Sequence, residues 1–186
     1  MEVAHKFIRL RSTSSAVRGW ALWLALIASF NLGGFFSTAA LASGVVDQDQ
    51  VVLAVEYQDG SERDGRQLTL EEIMALPLAG FATSTIWTDG VQQFEGVWLK
   101  DLVKHIEVET GLLELSALNE YLVDFPVEDI ADSQALVAYR HNGELMSARS
   151  RGPLWVVFPY DHGPEFRTEP TYVASIWQLD LMVALP

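Results

Sequence analysis

Short apolar runs rich in β-branched and aromatic residues, several of them closed by an Asp-Gly or Asn-Gly pair, recur through residues 51–183. That rhythm admits many short strands and leaves little room for long helices. Val51-Val52-Leu53-Ala54-Val55-Glu56-Tyr57 ends just before Asp59-Gly60 and reads as a strand. Residues 81–88 form a β-type run closed by Asp89-Gly90, with residues 91–95 returning as a hairpin. Further strands are expected at residues 121–125, at 135–140 before Asn142-Gly143, at 154–158 and over 173–183. Helical signals are few. Thr69-Leu70-Glu71-Glu72 has the form of a capping box and opens a helix that stops before Pro77. Val97, Leu99, Leu102, Val103 and Ile106 sit at helical spacing, with Gly111 as the expected terminator. Residues 126–130 read as one helical turn led by proline. The fold class expected is α+β, mixed β-strands with short helices.

The N-terminus reads differently. Lys6, Arg9, Arg11 and Arg18 precede an apolar run at residues 19–30, and Ala40-Leu41-Ala42 stands before Ser43. These are the three parts of a secretory signal peptide. Residues 1–42 are therefore expected to be a signal peptide and residues 43–186 the folded domain, periplasmic or secreted. The alternative is an uncleaved helix that anchors the domain in a membrane. Arg9 and Arg11 are separated by Leu10, so no twin-arginine pair marks the route used by proteins exported with a cofactor already bound.

Charge and cysteine count exclude whole classes of function. The chain carries a formal net charge of -13, and beyond residue 42 only 8 basic side chains oppose 24 acidic ones. Nucleic-acid binding needs a basic face and is not expected. With 0 cysteines there is no disulfide, thiolate nucleophile or Cys-ligated metal.

The order of motifs resembles one family, the sulfite-oxidase-type molybdopterin-binding domain in a small exported form. The resemblance rests first on Phe94-Glu95-Gly96-Val97-Trp98-Leu99-Lys100-Asp101-Leu102-Val103 and on Asn119-Glu120-Tyr121. It continues through Leu136-Val137-Ala138-Tyr139, Asn142-Gly143-Glu144-Leu145 and Arg151-Gly152-Pro153-Leu154-Trp155-Val156-Val157-Phe158-Pro159. Gly96 is expected at a tight strand-to-helix turn. The resemblance implies a molybdenum cofactor held by one cysteine thiolate in the segment before the Gly-Val motif. Here that segment is Thr83-Ser84-Thr85-Ile86-Trp87-Thr88, and Ser84 and Thr85 mark the region of the lost ligand. A hydroxyl is harder and far less acidic than a thiolate, and replaces it poorly on a soft metal.

The resulting expectation is a fold retained without its metal. It has no catalytic residue, and no cofactor is expected, with molybdopterin as the alternative. Arg149 and Arg151, with Arg140 before the hairpin, are the one concentration of positive charge and form a candidate anion pocket. The bland reading pairs them with Glu144 or Asp161 on the surface. His105 and His141 read as solvated residues, and Asp161, His162 and Glu165 lack any specific metal spacing. Trp87, Trp98, Trp155 and Trp177 are expected in the core or a pocket wall. Three functions follow: a non-catalytic domain binding a small anionic ligand or an envelope partner protein; a molybdopterin oxidoreductase with atypical metal ligation; or a structural envelope protein without ligand.

Overall fold

The computed structural model describes residues 47–186, and the expected signal peptide lies outside them. The described region is mostly β-sheet with a few short helices. One sheet contains β1 (Val51–Tyr57), β2 (Arg66–Thr69), β5 (Leu112–Ala117), β6 (Leu122–Pro126) and β10 (Leu179–Leu185), in the order β2-β1-β10-β5-β6. The other contains β3 (Ala79–Ser84), β4 (Val91–Trp98), β7 (Leu136–His141) and β8 (Glu144–Leu145) in that order, with β9 (Trp155–Val157) also paired to β7. Among the described strands only β1 and β10 pair in parallel. The helices are α1 (Leu70–Met74), α2 (Leu99–His105), α3 (Val127–Ile130) and α4 (Glu169–Val173). None of the described helices is long and apolar enough to cross a membrane.

Local chemistry accounts for most boundaries. The Thr69 hydroxyl accepts from the Glu72 N–H at 3.1 Å, while the Glu72 carboxylate accepts from the Thr69 N–H at 2.7 Å, so the capping box closes both ways. Asn142 and Gly143 both have positive φ, at 52° and 82°, as a tight β7–β8 hairpin requires. The main core lies between the sheets, where Leu53, Leu68, Leu113, Leu115 and Met182 of the first meet Val97, Val137 and Val156 of the second.

Several expectations need correction. Gly96 lies inside β4, not at a turn: its Cα faces β7 so closely that a Cβ would collide with the Val137 carbonyl. Gly111 does not end α2. The helix ends at His105 with Ile106 as its cap, and Glu107, at φ 58°, supplies the left-handed residue. The β-run at 81–88 breaks off at Ser84, and residues 85–90 form a loop. The last strand starts at Leu179, because Thr168 caps α4 and Pro170 sits in its first turn. Strands β2 and β5 carry no clear signal in the sequence pattern and are additions to the expected set.

Candidate functional site

The segment in the place of the thiolate starts at the end of β3. Thr83 is fully buried there, and its hydroxyl accepts the Asp161 N–H at 3.1 Å. Asp161, on the 3-10 turn Tyr160–His162, accepts from the Ser84 hydroxyl at 2.7 Å and from the Ser84 N–H at 2.5 Å. Hydrogen bonds from the Ser84 backbone and hydroxyl hold the Asp161 carboxyl below the usual range. The Thr85 hydroxyl bonds that of Thr88 at 2.7 Å and accepts the Trp87 N–H at 3.1 Å. Each hydroxyl that could replace the thiolate is thus already engaged, and Ser84 faces a carboxylate.

This donor set does not fit a molybdenum cofactor. No soft sulfur ligand of the thiolate kind exists in the chain, Ser84 donates its proton to an anion, and that anion would repel a phosphate-bearing pterin. Asp161, His162 and Glu165 do not converge either: among the described residues no group of three or more His, Asp or Glu side chains is placed to hold a metal ion.

Beyond this segment the outer face of the second sheet carries a small aromatic cluster. Phe94, Leu136, Ala138, Met146, Trp155 and Val157 form its buried part. Trp87, from the 85–90 loop, packs edge-on against Trp155, Tyr160, Tyr172 and Trp177 at centroid distances of 5.8–6.1 Å. Under it, Ser175 donates to the Thr171 carbonyl and shares a 2.6 Å hydrogen bond with the Tyr160 hydroxyl, and burial pushes the pKa of that hydroxyl up to about 12. His141 stacks on Phe94 at 5.1 Å, and its Nε2 meets the Gln92 Oε1 at 2.8 Å. Burial, and then the Arg151 guanidinium, hold His141 below the ordinary histidine range.

The three arginines separate. Arg151 is half-buried, donates to the Trp87 carbonyl at 2.9 Å and lies 5.3 Å over the Trp155 ring. Arg140 donates to the Gly143 carbonyl at 3.1 Å, within its own hairpin. Arg149 is exposed. Among the described residues none of them forms a salt bridge, a contact made there by Arg63 and Asp59. The expected partners Glu144 and Asp161 are therefore not the arginines' partners. Trp155 is 0% exposed, yet its indole Nε1–H finds no acceptor among the described residues. A half-buried guanidinium and an orphaned buried donor thus share one ring system. Surface hollows of about 270 and 280 Å³ lie elsewhere, one lined by Trp98, Lys100 and Gln134 and one by Glu109, Pro126 and Glu128. His105 is also away from this cluster, with its carbonyl accepting from Arg66 at 2.9 Å.

Sequence reasoning misses the bond between Ser84 and Asp161, which lie 77 residues apart, and the unpaired Trp155 donor. Neither leaves a local signal, although the isolated carboxylate in Tyr160-Asp161-His162 is visible. No curated protein matches the chain significantly. The family model described as the oxidoreductase molybdopterin binding domain matches residues 40–165. Because that match covers more than half of the chain, the chain belongs to the oxidoreductase molybdopterin-binding domain family.

Proposed function

We propose that this protein is an exported, non-catalytic member of the family, with the α+β fold of sulfite-oxidase-type domains, that binds a small anionic ligand beside Arg151. The observation that carries the reading is Arg151 itself. In a chain of net charge -13 its guanidinium is half-buried and, among the described residues, has no carboxylate partner and lies over an indole whose N–H is unpaired. An oxyanion there would accept from the remaining guanidinium N–H groups, the kind of bond that is roughly twice as strong as a neutral one. The engaged hydroxyls of Thr83, Ser84 and Thr85 support the absence of molybdenum chemistry. Arg149 and Arg140 stand outside this narrower site, and Arg149 serves it only by drawing anions toward the rim.

The test is a thermal-shift series in sulfate, phosphate and small carboxylates. A bound ligand raises Tm with concentration because it binds the native state. Arg151→Gln should abolish that rise while lowering the Tm in anion-free buffer by about 2–4 °C, since its bond to the Trp87 carbonyl is lost too, and no anion effect in the wild type would overturn the reading in favour of a structural envelope protein. Family membership favours a second reading, a molybdopterin oxidoreductase with atypical ligation. Stoichiometric molybdenum in protein purified from its producing cell would establish it.

A further inference from the structure

Five strands lie at the margins of the two sheets, and four of them are short or covered. β2 has 4 residues, β8 has 2 and β9 has 3, while the end of β3 is held by Asp161. β6 is different. Among the described residues it pairs with β5 alone, and its side chains alternate as exposed Leu122, buried Val123, exposed Asp124, buried Phe125 and exposed Pro126. The Ala117 N–H donates to the Tyr121 carbonyl at 3.0 Å, and the Val127 N–H donates to the Gly111 carbonyl at 3.0 Å. In an antiparallel pair this register makes Leu115 and Val123, and Leu113 and Phe125, the residues that exchange hydrogen bonds. Leu122 and Asp124 therefore turn their N–H and C=O groups away from β5, toward open solvent.

Two further features surround this edge. Leu118, Tyr121, Leu122 and Val173 are 55%, 43%, 53% and 48% exposed, and the Tyr121 hydroxyl joins them by donating to the Val173 carbonyl at 2.9 Å. Residues 106–139 contain 8 carboxylates and no lysine, arginine or histidine. Glu114 and Asp124 stand directly opposite each other across β5 and β6, an arrangement that destabilises a sheet unless a cation is added. Burial, and then Asp124, hold the Glu114 carboxyl above its usual range. A second copy of β6 would set another negatively charged edge against this one, so the same charges that discourage self-pairing select a cationic strand.

We propose that β6 is an interaction surface that takes a sixth strand: an extended segment of a partner protein with lysine or arginine at alternate positions and aliphatic residues between them. Its main chain pairs with Leu122 and Asp124, its cations reach Asp124 and Glu114, and its aliphatic side chains continue the inner face beside Val123 and Phe125.

The probe is a short synthetic peptide of alternating lysine and valine, added to the protein as purified from its producing cell. The amides of Leu122 and Asp124 should become protected from hydrogen exchange, and Asp124→Lys should weaken binding at least about tenfold. Because Asp124 is exposed and the new lysine faces Glu114, this variant should stay folded, which the unchanged exchange of core amides would verify. A peptide of equal charge with a central proline cannot pair and should lose binding to the same degree. Equal binding of the proline peptide would overturn the proposal by reducing the effect to charge alone. Protection confined to other amides, or protection of Leu122 and Asp124 without any peptide, would overturn it as well.

Discussion

The second sheet buries two different interiors on its two faces. Toward the first sheet, Val97, Val137, Leu154 and Val156 join a large cluster dominated by leucine, valine and isoleucine. Its other face has Phe94, Trp155 and the half-buried rings of Trp87, Trp98 and Trp177, with Arg151 and His141 among them. Aliphatic side chains interdigitate to high density and leave no polar atom behind. Aromatic rings meet edge to face and carry N–H groups that need acceptors, and here the Trp155 donor has none. The aliphatic side thus holds the domain together, while the aromatic side keeps unsatisfied polar capacity. A binding site is more readily built from the second.

Three measurements break or sharpen that contrast. The largest effect is expected from Leu154→Ala on the aliphatic side, where the residue is 0% exposed: it should cost about 2–5 kcal/mol in a denaturant titration. A change far smaller would mean that this face is not the stabilising one. Next comes Asp161→Asn at the margin of the aromatic side. Losing the anionic acceptor for both Ser84 donors should lower Tm by about 2–4 °C at neutral pH, moderated because the carboxylate faces solvent. The folded-state pKa of Asp161 is depressed, so its stabilisation is present above the unfolded value and is lost as pH falls through the folded one. The gap between wild type and variant should therefore close in strong acid. The smallest effect is spectroscopic. Arg151→Gln should raise the NMR titration midpoint of His141 but leave it below the ordinary range, because burial contributes more than the guanidinium. An unchanged midpoint would separate the two side chains and weaken the aromatic site.

Much of the scaffold is legible in the amino-acid sequence alone. β1, β4, β6, β7, β9 and the capped α1 correspond to runs identified from β-branched content, turn pairs and the Thr-x-x-Glu pattern. Local chemistry dictates such elements, because a cap or a positive-φ turn is satisfied within four residues. β5 escapes such reading because Leu112-Leu113-Glu114-Leu115-Ser116-Ala117 becomes a strand through pairing with β10 and β6, and β10 is far away in sequence. α4 overlaps the strand expected over 173–183 at Val173 alone; no helix is expected at 169–173, although the Thr168 cap and Pro170 in the first turn mark its start.

The candidate site divides along the same line. Residue chemistry alone removed the thiolate, and with it the ordinary molybdenum ligand, since no packing can supply a thiol the chain lacks. It also marked Arg140, Arg149 and Arg151 together, as cations in an acidic chain, without choosing among them. Only the tertiary structure decided that Ser84 belongs to Asp161 and that Arg149, Arg140 and Arg151 go separate ways. It also decided that Trp155 is buried without an acceptor and that β6 lies open. A residue's chemical type is fixed by its own atoms, whereas hydrogen-bond satisfaction and edge exposure depend on which distant segments come to lie beside it.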